Sequence, residues 1–398
     1  MVGPYRDLLA VPGARVFVAA GFVGRMSMSM LGIGIVLFVS AVTGSYGIAG
    51  AVSAVCALCF AAASPVIGRL ADRYGQRRVL VRLVPANTAS AAVLVLCAEF
   101  GAPVWTLFTA AGAVGLTSPS LGAMVRARWT HALRARAGGP PLHTAFSFES
   151  VLDELIFVTG PVLVTFLATQ VHPAGGVAAA SLFTLVGSLV LAAQRRSQPP
   201  SQGDAGGRAG TALGVPGVRV LVVVFLMLGA VFGAVDVTAI AFAAEDGRRE
   251  LAGVLLALYA LGSGSAALWY GARSWTVPLD RRFLAGLLLM VAGLVPLALI
   301  TRLHPMMFVI FFSGLAISPT IIPGYGLIER LVPAHRLTEG LTLVSTAVGI
   351  GVAVGASAAG QVVDARGAHT AFLLPLAAGV LAALVGLAGR RTLAIKQT

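Results

Sequence analysis

Apolar runs of membrane length follow one another along almost the whole chain, separated by short turns that are alternately rich and poor in arginine. About 20 apolar residues are what an α-helix needs to cross the hydrocarbon core of a bilayer. Twelve such windows are expected, near 15–41, 46–67, 79–99, 103–125, 143–168, 174–193, 218–243, 250–271, 283–301, 306–328, 338–360 and 369–388. Backbone in lipid has no water to bond, so each run is expected to be a helix. Composition agrees: 58% of residues are apolar and 11% charged, with a mean hydropathy of +0.91. A soluble domain carries about 25% charged residues. The formal net charge of +13 does not indicate a nucleic-acid partner. The basic residues lie in short clusters between apolar runs, the footprint of membrane topology.

Twelve spans put both termini on one side. Outside the spans, every basic residue falls on that side except Arg248, Arg249, Arg302 and Arg366; Arg25 lies within span one. By the positive-inside rule both termini are expected to be cytoplasmic, in a multi-pass protein of the cell inner (plasma) membrane. The first run is too long for a cleavable leader and lacks a small-residue cleavage site, so it is expected to serve as its own insertion signal. The stretch from Gln194 to Pro216 breaks the pattern with Pro199, Pro200 and several Gly and Ser residues. It reads as a flexible linker, dividing the chain into 1–194, a linker at 195–216, and 217–398.

The two parts repeat. Val11-Pro12-Gly13-Ala14-Arg15-Val16 opens span one, and Val215-Pro216-Gly217-Val218-Arg219-Val220 opens span seven. Ala49, Gly50 and Gly68 bracket span two as Ala252, Gly253 and Gly271 bracket span eight. Gly115-Leu116-Thr117-Ser118-Pro119-Ser120 in span four is similar to Gly314-Leu315-Ala316-Ile317-Ser318-Pro319-Thr320 in span ten. An ordered series at a nearly constant offset indicates duplication of a six-helix unit, with the halves related about the membrane normal.

Between spans two and three the chain reads Gly68-Arg69-Leu70-Ala71-Asp72-Arg73-Tyr74-Gly75-Gln76-Arg77-Arg78. This resembles the loop signature of the major facilitator superfamily, at the place where that family carries it. Gln76 stands where a basic residue is common. The resemblance implies an all-α membrane fold of twelve transmembrane helices in two six-helix bundles, and transport by alternating access. It also implies a gating role for Gly68, Asp72, Arg73, Gly75, Arg77 and Arg78. Asp72 would meet the N-terminus of span eleven, where a negative charge gains roughly 0.3–1 kcal/mol. The copy after span eight, Gly271-Ala272-Arg273-Ser274-Trp275, has lost the Asp and the second Gly.

A charge at mid-bilayer costs at least about 2.5–3.5 kcal/mol, so each needs a partner or a task. Arg25 in span one and Asp153 in span five both lie about 15 Å from the start of their helices at 1.5 Å per residue. Glu154 is slightly deeper and Glu149 shallower. The resemblance implies that spans one and five are neighbours, which makes Arg25 the natural partner of Asp153 or Glu154, but one Arg cannot neutralise three carboxylates. A membrane carboxylate that gains and loses a proton equips a carrier for proton coupling; a fixed ion pair joining two helices is the structural alternative. Asp236, late in span seven, is expected near the outer surface, either simply hydrated or a residue for substrate or cation binding, with Phe232 on the same face. Phe22 and Ser29 share the face of Arg25 and could contact a solute or simply pack. Glu99, Glu329 and Glu339 sit at expected span ends and are read as solvated.

Gly160-Pro161 in span five is similar to the core of the antiporter signature of drug exporters, without its surrounding glycines. Span four is read as lacking the buried Arg of many such exporters, with Arg126 and Arg128 at its cytoplasmic end. Cys56, Cys59 and Cys97 lie within apolar runs and read as small packing residues rather than metal or redox ligands. The six histidines lie in loops or at span ends, and no nucleotide-binding loop is present. No cofactor and no metal are expected. The partners implied are a small-molecule substrate, protons and the lipid bilayer, with no nucleic acid, for a monomer. The leading reading is proton-coupled export of a small organic drug or metabolite. Uptake of a small nutrient by symport or facilitation is the alternative, and a membrane-embedded enzyme a remote one.

Overall fold

The computed structural model describes residues 3–134, 140–201, 211–248 and 251–394. It contains twelve helices long and apolar enough to cross a membrane. They are Ala14–Thr43, Gly47–Tyr74, Gln76–Glu99, Val104–Arg134, Leu142–Val171, Gly175–Ala193, Pro216–Glu245, Ala252–Ala272, Leu279–Leu299, Leu303–Leu331, Ala334–Arg366 and Ala368–Ala388. No strand occurs among the described residues. A short helix, Gly3–Leu9, precedes span one.

The turns follow local chemistry. Span one ends at Gly44 in a left-handed conformation, with its N–H on the Ser40 carbonyl, a common helix stop. Ser45 caps span two by accepting from the Ile48 N–H. Span seven starts on Pro216, where a missing N–H costs nothing. Spans four and ten are each broken by an irregular turn, Ser118 to Ser120 in one and Leu315 with Ala316 in the other. Both breaks fall within the repeated Gly-Leu…Ser-Pro stretch.

The chain forms two compact units. One comprises Asp7–Gly139 and Leu155–Arg208. Its helices touch along glycines: a Cβ on Gly187 of span six would collide with the backbone of Gly24 in span one, and a Cβ on Gly115 of span four with the Cys56 carbonyl of span two. Around these seams Ile35, Phe38, Val52, Leu94, Val114 and Val177, from five spans, form a buried core.

The other unit comprises Met1–Arg6, Pro140–Glu154 and Ala209–Thr398. Spans seven and eleven lie against each other along Gly229, Gly233, Gly351 and Gly355, each of whose Cβ positions is occupied by backbone of the facing helix. Gly314 of span ten rests on the Tyr259 carbonyl of span eight, the counterpart of Gly115 on Cys56. Small residues let backbones approach where lipid offers no hydrophobic drive for association. Large side chains such as Val162, Leu299 and Phe308 remain exposed, as expected of helices whose outer faces meet lipid.

Several expectations change. Span four does not stop near 125; its second helix runs Leu121–Arg134, so Arg126 and Arg128 are buried rather than set in a solvated end. Glu329 and Glu339 are likewise buried, because span ten continues to Leu331 and Glu339 lies in the first turn of the long helix of span eleven. Glu99 is exposed as expected and lies 3.9 Å from the His172 ring. Residues 202–210 of the expected linker lie outside the described residues, as do Arg249 and Glu250. The described start of the linker is not loose: Ser197 and Gln198 are tied to the helices before it.

Candidate functional site

The signature loop is built on Gly75, whose φ of 87° an L side chain rarely adopts. A Cβ there would also come 2.7 Å from the Gln198 amide. Gly75 donates its N–H to the Ala71 carbonyl and ends span two; span three begins one residue later. Gly68 is buried and Asp72 half-buried, whereas Arg73, Arg77 and Arg78 are exposed. The Arg73 guanidinium lies 5.1 Å from the centre of the Tyr74 ring.

Gln76 anchors this loop. Its amide donates to the Met124 carbonyl at 3.0 Å, and its carbonyl accepts from Arg128 Nε at 2.8 Å. Arg128 also donates to the carbonyls of Leu191 and Gln194 and to the Ser197 hydroxyl. One fully buried guanidinium thus joins span four, the end of span six, the start of the linker and the signature loop. A basic residue at position 76 would face Arg128 as a like charge. Gln is therefore an accommodation to a buried Arg that sequence reasoning had placed in solvent.

Arg25 is buried at 1% exposure and donates Nε to the Gly21 carbonyl at 3.1 Å. Gly122 leaves room for two guanidinium side chains: a Cβ on it would lie 3.3 Å from Arg126 Nη1 and 3.6 Å from Arg25 Cδ. Phe22 packs half-buried on Met26, Met30, Ile156, Val164 and Ala180. The Ser29 hydroxyl donates to the Ile156 carbonyl at 2.9 Å, and Gly160 is the residue that lets Ser29 sit there. The Gly160-Pro161 pair therefore makes a close seam between spans one and five.

In the other unit Glu149 is fully buried, and Asp153 and Glu154 are half-buried. Glu154 lies within electrostatic reach of Asp153 and Asp236. Tyr259 lies within reach of both Glu154 and Asp236. Ser263 stands 3.1 Å from the Ser318 hydroxyl, and Ser318 donates to the Ser263 carbonyl at 2.9 Å. Spans five, seven, eight and ten thus converge on one polar cluster, with Phe232 half-buried one turn before Asp236. Asp236 is exposed. Tyr259, Ser263 and Ser318 were missed; a Tyr and a Ser one turn apart in an apolar span were the available signal.

The end of span eight is a second junction in this unit. Thr144 donates to the Gly271 carbonyl at 2.7 Å, His143 bonds the Arg273 carbonyl at 3.0 Å, and Tyr5 donates to the Leu268 carbonyl at 2.8 Å. Any Cβ on Gly271 would collide with the Tyr5 hydroxyl and with Ser147, which accounts for the glycine retained where the rest of the loop signature is lost. Burial pushes the Tyr5 hydroxyl up to about 12, so it stays a donor at physiological pH. In place of the missing signature residues, Arg273 lies over Trp269 and Trp275 at 5.4 Å, and Arg282 over Trp275 at 5.3 Å.

Among the described residues no three His, Cys, Asp or Glu side chains gather as a metal site. A groove of about 480 Å³ is lined by Ser90, Val93, Cys97, Thr106, Thr109 and Ala110, and no charged residue lines it.

Twelve spans, seams of glycine and a few buried charges define a polytopic membrane protein. The chain belongs to the Major Facilitator Superfamily, whose sequence model matches residues 17–247 and 224–395. No curated protein matches it. Among solved structures it is similar to the human organic anion transporter MFSD10 (TETRAN), at 15% identity and a TM-score of 0.71, over 94% of this chain and 100% of the other. It is similar to a bacterial homologue of the iron transporter ferroportin in its outward-facing state, at 15% identity and a TM-score of 0.73, over 94% and 98%. It is also similar to the major facilitator transporter FucP in the outward conformation, at 14% identity and a TM-score of 0.74, over 98% and 99%. At these identities the likeness is one of fold.

Proposed function

We propose that this protein exports a small organic drug or metabolite in exchange for protons, by alternating access of two six-helix halves joined by the linker at 195–216. It does so as a monomer in the plasma membrane, with both termini cytoplasmic. The observation that carries the reading is the asymmetry of the acids. Span five holds Glu149, fully buried, with Asp153 and Glu154, whereas the corresponding stretch of span eleven, 344–351, holds none. In this mechanism Arg25 pairs with Asp153 or Glu154 in one conformation and releases it on protonation. Asp72 and its loop close the cytoplasmic face.

Flux in proteoliposomes under an imposed pH gradient tests this, with substrates drawn from a thermal-shift screen. Accumulation driven by protons moving the opposite way is expected; accumulation with co-moving protons would make the protein an uptake symporter instead. Asp153→Asn or Glu154→Gln should abolish gradient-driven flux while sparing substrate exchange. Normal pH-dependent transport in both variants and in Glu149→Gln would remove span five as the proton site. Labelling of a single Cys at position 204 from outside intact cells would overturn the orientation.

A further inference from the structure

We propose that the turn between spans eight and nine binds the phosphate of an anionic phospholipid, with Arg273 and Arg282 as its ligands and Trp275 as the platform that holds them. The proposal stands apart from the transport reading and does not depend on what the protein carries. It starts from the altered copy of the loop signature. Trp275 follows Gly271 by four residues, as Asp72 follows Gly68. Pro278 immediately precedes span nine as Gly75 precedes span three. The two turns are therefore in register, and the indole stands where the other copy carries its acid.

Two cations share that ring. The Arg273 guanidinium lies 5.4 Å from the Trp275 ring centre and the Arg282 guanidinium 5.3 Å. The ring itself is held in place: its Nε1 donates to the Tyr270 carbonyl at 2.9 Å, and the Tyr270 ring packs on it at 4.6 Å between centres. Among the described residues no carboxylate pairs with Arg273, Arg281 or Arg282, although Asp280 lies in the same first turn of span nine. Arg282 donates to the Tyr270 hydroxyl at 2.8 Å, and its Nε is buried without a partner. An aromatic face orients a guanidinium but accepts none of its in-plane N–H bonds. Arg281 and Arg282 also stand at the positive end of the span-nine helix dipole, where an anion is favoured. The copy that lost its acid kept its arginines, so the counter-charge has to come from outside the turn.

Phosphate oxygens match the guanidinium fork and can answer both arginines at once. The place selects a lipid over a free ion. The turn joins the ends of two spans, Ala252–Ala272 and Leu279–Leu299, and so lies at headgroup level. Leu268, Trp269 and Val277 beside it are exposed and offer apolar surface to acyl chains, with Trp at the depth it favours in membranes. The uncompensated positive charge selects an anionic headgroup over a zwitterionic one, whose ammonium would meet the same arginines.

Quenching of tryptophan fluorescence by brominated lipid tests this on the full chain in bilayer nanodiscs. Trp105→Phe removes the exposed indole of span four, and Trp129 is fully buried, which leaves Trp269 and Trp275 as reporters. Brominated phosphatidylglycerol diluted into phosphatidylcholine is expected to quench well beyond its share of the bilayer. Brominated phosphatidylcholine diluted into phosphatidylglycerol should quench below its share. In this background Arg273→Gln and Arg282→Gln should each cut the preference about fivefold, the effect of one basic residue at an anionic surface. Arg281→Gln, which removes a guanidinium that is not on the ring, should leave it nearly unchanged. If Arg282→Gln does not elute as a monodisperse peak, the contrast between Arg273→Gln and Arg281→Gln carries the test. Equal quenching by the two lipids would overturn the proposal. So would equal losses in the Arg273 and Arg281 variants, which would show a diffuse positive field in place of a site. Loss of the preference on addition of inorganic phosphate would reassign the arginines to a free anion and remove the headgroup.

Discussion

Spans one and seven begin with the same six-residue pattern yet present opposite solutions at matching positions. Arg25 in span one is buried, with a guanidinium to satisfy. Its counterpart, Gly229, lies flush on the Val348 carbonyl of span eleven. The duplication preserved the packing grammar, since Gly115 on Cys56 and Gly314 on Tyr259 are the same contact made twice. It did not preserve the electrostatics. Close backbone seams tolerate no side chain at all, so a charge can sit only in the copy where a gap of side-chain width remains.

The sharpest way to break this comparison is to exchange the residues. Gly229→Arg should yield no folded protein, because backbone of span eleven fills the space; monodisperse elution of the variant would show that the seam is not rigid. The reverse change is milder. If Arg25 neutralises a span-five acid, Arg25→Ala should lower stability by about 3–5 kcal/mol, the usual penalty for stranding a buried charge. Addition of Asp153→Asn or Glu154→Gln should recover part of it, read as the midpoint of thermal unfolding. An unchanged midpoint would make Arg25 a bystander.

Two smaller changes sharpen the symmetric part. Gly115→Ala and Gly314→Ala each push a methyl group into a carbonyl oxygen and should cost similar amounts, about 1–3 kcal/mol. A large difference would show that the two copies of the contact are not equivalent. Gly75→Ala meets both an unfavourable φ and the Gln198 side chain, and should cost about 1–2 kcal/mol. Asp72→Asn should leave stability nearly unchanged while slowing transport. An unaltered transport rate, with unaltered protection of the cytoplasmic face from labelling, would remove its gating role.

The number of spans, their approximate limits, the repeat and the loop were all legible in the sequence. Each depends on local quantities: the length of an apolar run, a proline or glycine at a turn, a fixed spacing of Asp and Gly. The burial of Arg126 and Arg128 was not legible, because hydropathy ends a span at the first charge, whereas a helix continues wherever protein supplies acceptors such as Gln76, Leu191 and Gln194. Ser29 could be placed on a helix face, but its bond to the Ile156 carbonyl depends on which helix that face meets. The meeting of Glu154, Asp236, Tyr259 and Ser263 was further out of reach, since it depends on the rotation and tilt of helices far apart in the chain. Periodicity along one helix carries no information on those angles; they are set by which glycines of two helices can touch.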